Sequence, residues 1–206
     1  MNRNKSIQLI FLLFSIFTLI QCKSDSLPTP KPRSFPRVIY PVKKYVPFDT
    51  NFCQFTFEYP AYAQIIQDTS FFGEKPVDAC WFNIYVPEFQ SLIFCTYYPL
   101  GKKNKLFSVL NDAYKLAGVH NKKANFIDEI PIDLPGKVYG TIFSIEGPVA
   151  STYQFFVTDS TKHFLRGALY FNARTNQDSL ASIAEFMKKD VQHMIQTFKW
   201  KKMISL

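Results

Sequence analysis

Asp159-Ser160-Thr161-Lys162-His163, with Arg166 three residues on, is the densest set of chemistry-bearing side chains in this 206-residue sequence. A Ser, a His and an Asp are the parts of a hydrolytic triad. The hydroxyl attacks, the imidazole takes its proton, and the carboxylate orients the ring. The spacing argues against that use. All three fall within one short stretch, whereas a triad draws its members from separate parts of a fold. No Gly-x-Ser-x-Gly elbow occurs in the sequence. Asp159 and Ser160 instead suit a hairpin turn, where their side chains bond their own backbone. The stretch is expected to form a turn in a non-enzymatic protein, with Ser160, Thr161, Lys162, His163 and Arg166 as contacts for a partner and no catalytic residue. Arg166 falls mid-strand, on the face of Phe164, Ala168 and Tyr170 by parity. A charge there must reach solvent or find an acid. Glu58 and Asp159 are the acids considered for it.

Cys22 offers a second kind of chemistry, acylation of a thiol. It follows a short basic opening, Met1-Asn2-Arg3-Asn4-Lys5, and an apolar run from Ile7 to Ile20. That run is about 14 residues, and a helix crossing a bilayer needs roughly 20. The layout is that of an export signal over residues 1–21. A cysteine at its end resembles the bacterial lipoprotein signal, in which the segment is removed and the new terminal cysteine carries acyl chains such as palmitate. Gln21 stands where a small residue is usual. The alternatives are a plain N-terminal anchor or an ordinary secretory signal. Residues 22–36 then form a tether, because prolines at 28, 30, 32 and 36 prevent helix and favour an extended spacer. The globular domain is expected over 37–206.

Cys53, Cys80 and Cys95 remain. Export permits one disulfide. Cys53 alternates with Phe55 and Phe57, and Cys80 with Phe82 and Ile84, so both suit apolar strand faces. Spacing does not choose a pair, and buried free thiols remain an equal alternative. No CxxC occurs and the 3 His are scattered, so neither a metal site nor a cofactor is expected. Lys and Arg number 24 against 16 Asp and Glu. Nucleic acid is a poor partner for an exported protein. The basic balance points to anionic headgroups, acidic polysaccharide or an acidic protein face, or to a solvated surface alone.

The positioning elements follow from periodicity and aromatic weight, with 22 Phe and 11 Tyr against 7 Gly. Alternation predicts strands over 52–59, 80–86 and 91–98. Leu106, Val109, Leu110, Ala113 and Ala117 predict a helix over 105–120. Strands are expected over 124–130, 137–145, 152–158 and 164–172, with Leu134-Pro135-Gly136 and Glu146-Gly147-Pro148 as turns. Leu180, Ile183, Ala184, Met187, Val191, Met194, Ile195 and Phe198 predict a long helix, capped by Asp178 or Ser179, with Asp190 off its apolar stripe. Trp81 and Tyr85 oppose the parity of Cys80 and Phe82, and lie on either a second buried face or an exposed aromatic surface. The class is α+β, a mainly antiparallel sheet with a helix on each side. The layout is similar to that of PsbP/Mog1 domains, which carries no function by itself.

Tyr139 to Phe171, densest in its Phe155–Phe171 part, carries a resemblance. With it go Phe57-Glu58-Tyr59-Pro60, Trp81-Phe82-Asn83-Ile84, Pro87-Glu88-Phe89 and Asp178-Ser179-Leu180. On these residues the sequence resembles the gliding-motility lipoprotein GldD family over most of the mature chain. The resemblance implies an envelope component of the gliding machinery and its associated protein secretion system. The implied partners are other envelope proteins of that apparatus, and the membrane through the lipid anchor. One acid in Lys23-Ser24-Asp25-Ser26 gives little signal for surface display, so a periplasm-facing position is expected. The runner-up is a periplasmic ligand-binding lipoprotein that uses the aromatic sheet face as a pocket.

Overall fold

The structure is a computed structural model, and it describes residues 37–69, 75–172 and 177–201; the side chains of residues 177–179 are not described. These residues belong to one compact unit, Pro36–Leu206. The export signal, Cys22 and the tether lie outside the described residues.

Alternating apolar side chains build ten strands. They are β1 (Tyr45–Phe48), β2 (Phe55–Pro60), β3 (Gln64–Gln67), β4 (Phe82–Val86), β5 (Ser91–Pro99), β6 (Phe126–Leu134), β7 (Val138–Glu146), β8 (Tyr153–Thr158), β9 (His163–Phe171) and β10 (Lys199–Trp200). Helix α1 is Leu106–Gly118 and helix α2 is Gln177–Gln196. Seven strands form one sheet in the order β3-β4-β5-β9-β8-β7-β6, and β1-β2-β10 form a smaller one. Every pairing is antiparallel. Short links between successive strands favour that arrangement.

Strand parity sorts the large sheet into two buried faces. Tyr153, Phe155, Val157, Leu165 and Leu169 face one core with Met187, Val191, Met194 and Ile195 of α2. Phe143, Ile145, Phe156 and Phe164 face the other core with Val109, Ala113 and Ala117 of α1. The fold is therefore α+β with a helix on each side of the sheet. Each large buried side chain contributes roughly 1.5–3 kcal/mol, so packing rather than helix propensity holds α2 in place. Gly167 sits where the Phe155 ring crosses β9, and a Cβ there would collide with that ring. The small sheet packs Phe48 and Phe57 onto Phe82 through stacked rings, with Phe55 tilted against the same ring. The Cys53–Cys80 disulfide, with Cα atoms 5.1 Å apart, ties that sheet to the start of β4. Cys95 is free and buried.

Several boundaries differ from the sequence reading. The strand expected over 124–130 runs on through Pro131 to Leu134. It is an edge strand, where a missing N–H is tolerated. The helix expected over 105–120 is α-helical only to Gly118, and Val119–Lys122 carries it on as a 3-10 turn. Asp178 and Ser179 lie inside α2, which starts at Gln177, so neither is its N-cap. Trp81 is buried and Tyr85 half-buried. Asp190, expected off the stripe, is 1% exposed. It stands three residues after Met187 and four before Met194, which is the spacing of the buried face itself.

Candidate functional site

The turn between β8 and β9 is built by one carboxylate. Asp159 Oδ1 accepts the backbone N–H groups of Thr161 (2.9 Å), Lys162 (2.7 Å) and His163 (2.9 Å), and Oδ2 accepts the Thr161 hydroxyl at 2.9 Å. Burial alone would raise this carboxyl. The backbone donors and the hydroxyl outweigh it and hold the group below its ordinary value. Ser160 takes the left-handed conformation, φ 65°, that the turn requires. Its N–H reaches the Thr158 hydroxyl at 3.0 Å.

The polar run that follows is split by the sheet. Ser160, Thr161 and Lys162 are exposed at the tip. His163 points into the α2-side core. Its Nδ1 lies 2.6 Å from the Tyr97 hydroxyl, and its ring stacks on Trp200 at 5.0 Å. Desolvation lowers its pKa, so the ring stays neutral. Arg166 points to the opposite face, under α1. Asp159 therefore does not orient His163, and Ser160 does not meet its ring, so the three do not form a triad. Arg166 pairs with neither acid considered for it. Glu58 accepts from His193 at 2.7 Å, and Asp159 is committed to the turn. Arg166 instead donates to Gln154 Oε1 at 2.5 Å.

Around the tip the fold gathers lysines that the spacing argument passed over. The Leu100 N–H donates to the Lys162 carbonyl at 2.8 Å, which joins the tip to the 101–105 loop. That loop carries exposed Lys102, Lys103 and Lys105. Trp200, stacked on His163, donates to the Lys137 carbonyl at 3.1 Å and so brings the β6–β7 turn to the same end. Among the described residues none of these five lysines is in an ion pair. Phe107 stands beside them, 82% exposed. The run Lys102-Lys103-Asn104-Lys105 was visible in the sequence; its meeting with Lys162 depended on strand order.

Two more polar groups sit inside the fold. Asp190 bonds Lys43 Nζ, the Tyr45 hydroxyl at 2.9 Å and the Tyr62 hydroxyl at 2.5 Å. Burial first, and the carboxylate second, push both phenols up, so both stay donors. Lys43 also lies 3.7 Å over the Phe186 ring. The cluster fastens the first described segment to α2. Tyr40 adds to it, with its ring 4.8 Å from Phe186 and 6.0 Å from Phe89. Phe89 ends the link between β4 and β5, so Tyr40 lies at the end of the sheet away from the lysines. Under α1, a cavity of about 300 Å³ opens between Trp81, Thr96, Tyr98, Phe164 and Arg166 of the sheet and Asp112 and Leu116 of the helix.

Among the described residues no helix is long and apolar enough to cross a membrane. No curated protein matches the chain significantly. A solved structure with some likeness is the solution structure of cyanobacterial PsbP (CyanoP) from Synechocystis sp. PCC 6803. It is 13% identical, with a TM-score of 0.44, over 78% of this chain and 94% of that one. The family described as gliding motility lipoprotein GldD matches residues 25–200. That match spans most of the sequence and both sheets, and the chain belongs to the gliding motility lipoprotein GldD family.

Proposed function

We propose that this chain is a non-catalytic docking component of the gliding-motility machinery and its associated protein secretion system. It is held to the envelope by acyl chains on Cys22, faces the periplasm, and meets other envelope proteins of the apparatus through the lysine end of its sheet. The observation that carries the reading is the gathering of Lys102, Lys103, Lys105, Lys137 and Lys162 at one end, with exposed Phe107 beside them. These lysines lie across β5, β9, β8 and β7, a span of about 15 Å at the usual strand spacing. A one-sign patch of that size draws an acidic protein face and sets its orientation.

The sheet end that holds Tyr40 supports a protein partner over the anchor's own lipid. The chain enters the domain there, and the lysines lie at the far end of strands about 30 Å long. A lipid anchor upstream of residue 37 draws the entry end toward the membrane and leaves the lysines pointing away.

The test is the triple change Lys102→Glu, Lys103→Glu, Lys162→Glu in the intact cell. Crosslinked complexes from the envelope and spreading motility should both fall at least about tenfold, while the thermal midpoint stays within ~2 °C. Full motility and an unchanged crosslinking pattern in that variant would overturn the docking role. A folded Ser160→Ala, His163→Ala variant that abolishes motility while the charge reversals are silent would reopen catalysis.

A further inference from the structure

Arg166 presents a guanidinium to a cavity, and no carboxylate of the described residues comes within ion-pair distance of it. A charge removed from water needs an opposite charge or a full set of hydrogen bonds. Gln154 Oε1 takes one donor. A guanidinium has five, arranged as a planar fork that matches a carboxylate. Beside it Gln154, 1% exposed, leaves its own Nε2 without a partner. Hydrogen-bond donors thus outnumber acceptors around this spot, and what is lacking is an acceptor or an anion.

Apart from Thr96 and Asp112 the rest of the lining is aromatic or aliphatic. The Trp81 ring meets Tyr98 edge-on at 5.6 Å, and Tyr98 meets Phe164 at 6.4 Å. Val109, Ala113 and Leu116 of α1 form the roof, and exposed Asp112 stands on that side. The volume, about 300 Å³, lies at the small end of ligand clefts.

We propose that this cavity binds a small carboxylate joined to an apolar body, with the acid group on Arg166 and the body against Trp81, Tyr98 and Phe164. The acid completes the guanidinium fork, and the rings remove the body from water. Asp112 on the helix side accepts a ligand N–H and disfavours a second acid group. Two sources share this chemistry, a free small acid and the C-terminal carboxylate of a chain that ends in an apolar residue. The site stands on the cavity alone and does not depend on the docking role of the lysines.

Calorimetry on the full lipidated chain in detergent, blanked against empty micelles, tests it with four probes. They are phenylpropionate, its amide, the tripeptide Ala-Ala-Phe with a free carboxylate, and the same tripeptide amidated. At least one acid should saturate, and its amide should bind at least about tenfold more weakly. Arg166→Gln should cost the same factor. That change also strips Gln154 of its partner and endangers the fold, so Leu116→Glu supplies an independent arm. Leu116 is 45% exposed on α1, and a carboxylate there competes for Arg166 without entering the core. Tighter binding of the tripeptide assigns the site to chain termini, and tighter binding of phenylpropionate assigns it to a free acid. Equal binding of acid and amide, no saturation by about 10 mM, or undiminished binding in a folded Leu116→Glu protein overturns the proposal.

Discussion

Asp159 shows how one side chain can look catalytic and be architectural. Its carboxylate closes the β8–β9 turn with three backbone bonds. Asp159→Ala removes all three acceptor contacts and should lower stability by about 1–3 kcal/mol, read by chemical unfolding. Ser160→Gly relieves a left-handed conformation that costs a non-glycine residue about 1 kcal/mol, so it should be neutral or stabilising. A stabilising Asp159→Ala would contradict the turn assignment. His163 adds a pH signature. Its folded pKa is depressed by burial, so the folded state binds fewer protons than the unfolded one near neutrality. The stability is full above the ordinary histidine value of about 6.5 and is lost as pH falls below it through the folded value. His120 is shifted the same way, by desolvation and then by Arg166. The thermal midpoint should fall between pH 7 and pH 5, and a His163→Gln variant should fall less steeply. Parallel curves for the two proteins would remove His163 as a source.

At the scale of elements, legibility tracked how a pattern repeats. β5, β7, β8, β9 and both helices were readable because large apolar residues recur at one period over many positions. β1, β3 and β10 were not read. They are short edge strands, and their place depends on partners far along the sequence. The disulfide was likewise open, since three cysteines on apolar faces carry no pairing information until β2 meets β4. Asp190 is the clearest miss. Its charge predicts a place off the stripe, whereas its spacing sets it on. The burial is tolerated because Lys43, Tyr45 and Tyr62 all converge on it. Asp190→Ala leaves a half-buried ammonium and two hydroxyls unpaired, and should cost about 3–5 kcal/mol. Asp190→Asn keeps the volume and part of the bonding and should cost clearly less. Equal losses in the two, measured by urea unfolding, would mean that the cluster is held by packing and not by its polar contacts.

For the whole molecule, the decisive question is which end faces the membrane, and the cysteines make it measurable. Cys53 and Cys80 are bridged, and Cys95 is buried, with its thiol pushed up by desolvation. Under the lipoprotein reading Cys22 is acylated, so a thiol introduced at the surface is labelled selectively. Ile39 and Phe107 are both 82% exposed, near the entry end and the lysine end respectively. Ile39→Cys and Phe107→Cys should each accept a fluorophore in reconstituted vesicles without loss of fold. Under the same reading residues 22–36 reach about 45 Å as a Pro-rich extended spacer, and attachment through residue 37 favours the entry end facing the bilayer over the far end. A quencher fixed in the lipid headgroups should dim the label at position 39 and spare the one at 107. Cys22→Ser should abolish the quenching and move the protein to the soluble fraction, with mass spectrometry showing no acyl chains. Stronger quenching at 107 than at 39 would turn the lysines toward the membrane, and anionic lipid would replace an acidic protein as their partner.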